Sequence, residues 1–229
     1  GGGPAGMAAA YFLRRAGMAV TVFEKNDALG GVVRHVIPEF RIPGTSIDKD
    51  AALLEKMGVE VRLNTEVKDT AALKAEGFTT VILAVGASEP GVLRLEQGEA
   101  KNALEFLADF KANNGELNIG KNVVVIGGGN TAMDTARAAK RTTGVEHVYL
   151  VYRRTKRYMP ADEEELVMAV EDGVEFMELL SPVKLENGKL ICEVMVLGDM
   201  DASGRRGVVK TGELKEIPAD TVIAAVGEK

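Results

Sequence analysis

The sequence predicts an α/β protein of two Rossmann-like dinucleotide-binding domains with a small β-meander insertion, and three observations carry that reading. The first is Val123-Val124-Val125-Ile126 running directly into Gly127-Gly128-Gly129-Asn130-Thr131-Ala132. A β-branched buried strand, a glycine turn and an Ala-rich helix form the setting in which a G-x-G-x-x-G/A fingerprint has mechanical meaning. The second is another fingerprint, Gly1-Gly2-Gly3-Pro4-Ala5-Gly6, followed by a helical stretch to about Arg15 and a strand over 19–23 that ends at Glu24. The third is Asn187-Gly188 between Val183-Lys184-Leu185 and Leu190-Ile191-Cys192, a strong two-residue hairpin signal that opens a meander to about Ile217.

Each part of the fingerprint over 127–132 has a use. Gly127 supplies the turn, Gly129 lets backbone approach a pyrophosphate, Ala132 keeps helix and strand close, and the helix N-terminus offers N–H groups and positive dipole to phosphates. A tight strand-helix turn without a ligand is the bland alternative. After the next strand, 145–152, an acid would normally meet the ribose hydroxyls. Here the chain reads Arg153-Arg154-Thr155-Lys156-Arg157, which suits a 2′-phosphate and favours NADP(H) over NAD(H). The competing reading is a solvated basic loop. In the first fingerprint Glu24 lies 23 residues after Gly1, the place for a carboxylate on an adenosine ribose. A glycine triplet could also be an expression scar, but Pro4-Ala5-Gly6 and a correctly spaced acid follow it. The two sites are therefore expected to hold different dinucleotides.

The remaining chain fills in around these motifs. Residues 25–43 are rich in Gly and Pro and read as an ordered loop. A helix over 47–57, a strand over 59–63 and a helix or turn over 70–76 lead to a buried strand, Thr80-Val81-Ile82-Leu83-Ala84-Val85, ending at Gly86. A similar ending recurs over 221–227 and suggests two returns of the chain to one region, the seam between domains. Residues 88–98 read as a linker and 102–113 as a helix by the spacing of Leu104, Phe106, Leu107 and Phe110. The helix expected over 161–172 starts with Asp162-Glu163-Glu164-Glu165, acids that complement a helix dipole rather than hold a metal. The implied domains are 1–88, 92–224, and 225–229 as a return toward the first.

Composition sets the outer limits. With 229 residues, 46% hydrophobic and net charge −6, the chain reads as a soluble globular protein of one large or two modest domains, not a binder of nucleic acid. No run approaches the roughly eighteen apolar residues needed to span a bilayer, and no charged-then-apolar leader precedes the first motif, which points to the cytoplasm. The single cysteine, Cys192, excludes an internal disulfide, a four-thiolate cluster and a C-x-x-C pair within this sequence, and it reads as core. His35 and His147 lack a matching constellation and read as structural or surface residues. Both ends look cut: no strand precedes Gly1, and the last strand stops just after its glycine.

The order of motifs resembles the two-dinucleotide flavoprotein superfamily. Phe23-Glu24-Lys25, Gly30-Gly31-Val32, Ile37-Pro38-Glu39-Phe40-Arg41-Ile42-Pro43 and Tyr152-Arg153-Arg154 with Met159-Pro160 are similar to the small subunit of NADPH-dependent glutamate synthase and the flavin arm of dihydropyrimidine dehydrogenase. The wording of 152–166 is closest to the iron–sulfur subunits assigned to selenate reductases. The resemblance implies FAD on Gly1, Gly3, Pro4, Ala5, Gly6, Glu24, Lys25, Gly31, Val32, Arg41, Val67 and Gly86. It implies NADP(H) on Gly127, Gly128, Gly129, Asn130, Thr131, Arg153, Arg154, Arg157, Ala225, Val226 and Gly227. The family's first strand, its C-terminal third and its cluster cysteines are not in this sequence. The implied reaction is hydride transfer from NADPH to FAD, then single electrons to iron–sulfur clusters of a partner or another domain. Positioning dominates such a step, so the lack of a catalytic dyad or triad is no objection. A binding module without activity of its own is the alternative.

Overall fold

The computed structural model describes residues 1–87, 91–200, 204 and 206–227. The start of the expected linker, Ser88 to Pro90, lies outside the described residues, as do 201–203 and 205 of the meander and the last two residues of the chain. The chain divides into two compact units, Gly1–Ala87 and Ser88–Lys229.

The first unit contains α1 (Pro4–Arg15), β1 (Thr21–Phe23), α2 (Gly31–His35), α3 (Gly44–Lys56), β2 (Glu60–Arg62) and α4 (Thr70–Ala75). Pro4 begins α1, where its missing N–H costs nothing and its fixed φ is already helical. β1 and β2 pair in parallel with Val22 beside Val61. Ala10 of α1, Val22, Leu29, Leu54 of α3 and Val59 form the buried cluster. Two expectations change here. The 25–43 stretch is not all loop, because α2 forms within it, starting at the second glycine of Gly30-Gly31. The expected buried strand at Thr80 to Val85 is neither a strand nor buried: Ile82, Leu83 and Val85 are 51%, 72% and 77% exposed. Apolar β-branched sequence makes a strand only when a neighbour accepts its hydrogen bonds. Among the described residues, the first unit's ladder is β1–β2 alone.

The second unit contains β3 (Lys101–Asn102), α5 (Ala103–Ala112), β4 (Asn122–Ile126), α6 (Asn130–Arg141), β5 (His147–Tyr152), a 3-10 turn (Lys156–Tyr158), α7 (Glu163–Glu171), β6 (Glu175–Glu178), β7 (Leu180–Glu186), β8 (Lys189–Met200), β9 (Arg206–Pro218) and β10 (Thr221–Ala224). Asn102 caps α5, its Oδ1 accepting the N–H groups of Leu104 and Glu105 at 2.8 and 3.2 Å. The parallel sheet has the order β3-β10-β4-β5-β6. In β4, Val123 to Ile126 are all buried, without alternation, as expected of a parallel strand covered on both faces. From β4 the chain crosses one way to β5 and later returns on the other side as β10, so the end of β4 is a topological switch point where ligands of open α/β sheets bind.

The antiparallel sheet β7-β8-β9 covers one face of this sheet, packing Leu190, Cys192 and Ile217 with Val124, Val151 and Val222. Its first hairpin is the one predicted from Asn187-Gly188: Glu186 pairs with Lys189, and the two turn residues have φ 51° and 70°. Between α6 and α7, Arg137 Nε and Arg141 Nη1 reach one oxygen of Asp172 at 2.7 and 2.6 Å. The Arg141 guanidinium hydrogen-bonded to Asp172 is the main cause that holds this carboxyl below the ordinary aspartate value, with Arg137 adding to it.

Gly188→Val should destabilise the second unit by about 1–2 kcal/mol in chemical denaturation, because a β-branched residue resists positive φ. Among the described residues, no atom beyond its two chain neighbours lies within 4 Å of where its Cβ would sit, so the loss reports backbone strain. Asp172→Asn should cost about 1–2 kcal/mol at neutral pH, allowing for partial solvent screening. A depressed carboxyl stabilises above its unfolded value and loses that contribution as pH falls through the folded one, so wild type and variant should converge below roughly pH 4.

Candidate functional site

In the second unit the glycine loop sits at the switch point, and every glycine in it faces something different. A Cβ on Gly127, whose φ is 156°, would overlap the Ala225 carbonyl, and one on Gly128 would overlap the Tyr152 ring. Gly129 is different: the nearest atom to its Cβ position is Pro160 Cγ at 3.9 Å. The chain's own packing therefore requires glycine at Gly127 and Gly128, whereas at Gly129 bare backbone is left open at the start of α6. No side chain caps that helix.

A second loop is fastened over this one. Ala161 N–H donates to the Gly128 carbonyl at 3.0 Å. The Asn130 amide donates to Asp162 Oδ2 and accepts the Asp162 N–H, both at 3.1 Å. Asn130, expected as a nucleotide ligand, thus staples the β5–α7 connection to α6. Asp162, read as a dipole complement, is half of that staple, and Glu165 lies buried 4.0 Å from Arg137. Among the described residues no group of His, Cys, Asp and Glu could hold a metal ion.

The basic residues follow β5 as the sequence indicates, but they divide. Arg153, Lys156 and Arg157 are exposed. Arg154 is half-buried, and its Nε donates to the Arg206 carbonyl of β9 at 2.8 Å, which turns it toward the meander. Thr131 lies in the first turn of α6, and its carbonyl accepts the Thr135 hydroxyl at 2.7 Å. Ala225 donates to the Ile126 carbonyl at 2.8 Å, while Val226 and Gly227 run against Gly91.

The first unit repeats the plan. A Cβ on Gly1 would overlap the Ala84 carbonyl, and one on Gly6 would overlap the Gly1 carbonyl, yet Gly3 has only Gly31 Cα near, at 3.7 Å. The two similar endings, at Ala84 and Ala225, therefore each meet the first fingerprint glycine of their own unit. Gly2 is pinned from both sides: its N–H donates to Glu24 Oε2 at 2.6 Å and its carbonyl accepts the Gly30 N–H at 2.8 Å. Glu24 Oε1 accepts the Asn26 N–H at 2.9 Å. Burial would raise this carboxyl, but the N–H groups of Asn26 and Gly2 outweigh it and hold it below the ordinary glutamate value. Pro4 and Ala5 open α1. Lys25 and Val32 are exposed beside this cluster in sequence; Arg41 closes the turn from Pro38, Val67 is 37% exposed after β2, and Gly86, at φ 78°, follows the unpaired segment. The structure thus brings Gly1, Gly3, Gly6, Glu24 and Gly31 together, and sets Arg41, Val67 and Gly86 on separate loops.

The sequence assigned no role to three contributors: Tyr152, whose ring underlies Gly128, and Pro160, above Gly129, both of which entered only through the resemblance they carry; and Glu178, whose carboxylate accepts the Lys156 N–H. All three act across turns or strands. Glu175-Phe176-Met177-Glu178 sets its two apolar residues side by side, without the alternation of a half-buried strand, so no periodic signal marked β6 or Glu178.

Comparison with known proteins finds relatives along the whole chain. The Escherichia coli (strain K12) protein YgfK is 43% identical over 234 residues, covering 100% of this chain and 22% of YgfK. The small chain of NADPH glutamate synthase from Escherichia coli (strain K12) is 35% identical over 249 residues, covering 99% of this chain and 52% of that protein. The structure of Mycobacterium tuberculosis FprA in complex with NADPH superposes with a TM-score of 0.80 at 23% identity, over 100% of this chain and 70% of that one, a likeness of fold. The chain thus spans 22% to 52% of the length of these two curated relatives. A family model described as pyridine nucleotide-disulphide oxidoreductase matches residues 1–229, the two glycine cradles included, and the chain belongs to that family.

Proposed function

We propose that this chain is the dinucleotide-handling part of an NADPH-dependent flavin oxidoreductase. Residues 1–88 are its FAD-binding domain, residues 92–224 its NADP(H)-binding domain, and electrons leave to an iron–sulfur domain or subunit. The observation that carries this is a shared plan with opposite charges. In each unit the second glycine of the fingerprint, Gly3 or Gly129, is free of the overlap that its neighbours in the loop would meet, with the nearest atom at 3.7 or 3.9 Å from its Cβ position, while the strand end is followed by Glu24 in one and by the exposed Arg153 and Arg157 in the other.

The residues present fit both groups. Glu24 is buried and held ionised, and each of its oxygens keeps a lone pair beyond the one N–H it accepts, so it can take a ribose hydroxyl. Gly3, Pro4, Ala5, Gly6 and Gly31 would form the cradle around the FAD phosphates. Gly128, Gly129, Asn130 and Thr131 would do the same for NADP(H), with backbone N–H groups at the helix start. Arg153 and Arg157 would meet the 2′-phosphate as charge-assisted donors. When bound, the nicotinamide supplies a hydride and the flavin takes it up for onward transfer as single electrons.

The chain's own work is binding and orientation. Its one thiol, Cys192, is fully buried, and burial pushes it up to about 12, so it serves as core. A disulfide relay would need a second cysteine that this chain does not contain. Among the described residues no helix is long and apolar enough to cross a membrane, and a single unpaired cysteine suits the reducing cytoplasm, where we place the protein. A second reading, an NADP(H)-binding module that does not retain flavin, draws support from the two-stranded ladder and exposed Thr80 to Val85 segment of the first unit.

Purified protein with a flavin spectrum that NADPH bleaches under argon is the expected result. Colourless protein that still binds NADPH would favour the module, and loss of both properties would remove both readings. Arg153→Glu should weaken NADPH binding by about tenfold or more, since one charge-assisted hydrogen bond contributes ~1.5–3 kcal/mol, and should leave NADH binding nearly unchanged. Titration of both nucleotides at two salt concentrations checks this. Arg153 is the cleaner target, because replacing Arg154 also removes its bond to β9.

A further inference from the structure

We infer that Glu178 sets the strength and selectivity of the basic loop toward a 2′-phosphate: as a positioning residue it fixes the loop, and its charge limits how tightly the loop holds a dianion. This rests on the NADP(H) reading above. β6 runs parallel to β5, and its last pair is Tyr152 with Glu178. One residue further on, β5 gives way to Arg153, and the Glu178 carboxylate reaches across to accept the N–H of Lys156, the first residue of the 3-10 turn Lys156–Tyr158. The far end of the same turn is held by the Tyr152 hydroxyl, which donates to the Tyr158 carbonyl at 2.8 Å. The backbone that carries Arg153, Lys156 and Arg157 is therefore clamped at both ends by adjacent strands.

The clamp has two separable consequences. A hydrogen bond to Lys156 N–H removes conformations the loop would otherwise lose on binding, which strengthens binding by preorganisation. A carboxylate at the same place puts a negative charge on the loop whose cations meet the phosphate, and it repels that dianion. Holding the turn needs only an acceptor oxygen, and a neutral amide provides one. Glu178 is exposed, so solvent and salt moderate the repulsion without abolishing it. The structure thus assigns Glu178 opposed roles: its oxygen favours the nucleotide and its charge disfavours it.

Three forms of the whole chain, wild type, Glu178→Gln and Glu178→Ala, titrated with NADPH and with NADH at low and high salt, test this. Glu178→Gln keeps the acceptor and removes the charge. Its NADPH affinity should rise ~3- to 5-fold at low salt and less at high salt, with NADH affinity constant within about twofold. Glu178→Ala should bind NADPH at least ~3-fold more weakly than Glu178→Gln, because the clamp is lost as well. Rescue of the clamp by Gln is a readout that general destabilisation would not give, and matched thermal melting of the two variants checks that both are folded. A wild-type preference for NADPH that neither variant alters would overturn this inference and leave the NADP(H) reading standing. Equal affinities for NADPH and NADH in all three forms would overturn both. Equal NADPH affinities in the Gln and Ala variants, above wild type, would refute the positioning role.

Discussion

The contact between the Tyr152 ring and Gly128 is the constraint on which the second unit's ligand end depends. Any side chain at Gly128 would displace the ring, and the ring does more than fill space. Its hydroxyl holds the Tyr158 carbonyl, so the same side chain sets the height of the glycine loop and the course of the basic loop. From there the Ala161 N–H returns to the Gly128 carbonyl and Asn130 grips Asp162, closing a circuit from β4 through β5 and back to the start of α6. That circuit is possible because β4 and β5 are in register, with Ile126 opposite Val151 at the sheet's end. Buried parallel strands fix the register, and the register delivers the ring.

What could be read from the sequence was what local chemistry decides. Val123 to Ile126 followed by Gly127 can hardly be anything but a buried strand and a turn, and Asn187-Gly188 specifies its hairpin because few other pairs accept positive φ twice. The cradle around Gly1 and the Glu24 carboxylate were legible for the same reason. What could not be read was what depends on a distant partner. Thr80 to Val85 has the composition of a strand, but pairing decides whether it becomes one. Arg153 and Arg154 look equivalent in sequence, but β9 brings the carbonyl of Arg206 alongside Arg154, which it engages, while Arg153 stays exposed. β3 and β6 are too short for periodicity to register.

The two units show how one supersecondary plan is adapted by its edges rather than its centre. In both, the first glycine lies under a returning carbonyl, and the second meets nothing nearer than ordinary contact distance. The strand end differs: Glu24 is drawn inward by two backbone N–H groups, whereas Arg153 and Arg157 stand in solvent. An inward carboxylate is rigid and desolvated, suited to neutral hydroxyls, and an outward cation keeps its hydration until a dianion replaces it. The two curated relatives match 100% and 99% of this chain and are longer than it, the chain spanning 22% and 52% of their lengths.

Unequal sheets imply unequal persistence of native structure. The first unit's ladder has two strands of three residues each over a cluster of modest side chains, while the second unit has five parallel strands flanked on one face by the meander. Amide hydrogens are protected in proportion to the cost of the opening that exposes them, and that cost tracks buried apolar contact. Deuterium should therefore enter β1 and β2 through local openings long before it reaches β4, whose amides exchange only when the entire second unit unfolds. The segment most sensitive to a bound adenine nucleotide would then be the glycine turn before α1, since tethering it to a ligand converts the chain's least durable ladder into part of a larger cooperative unit.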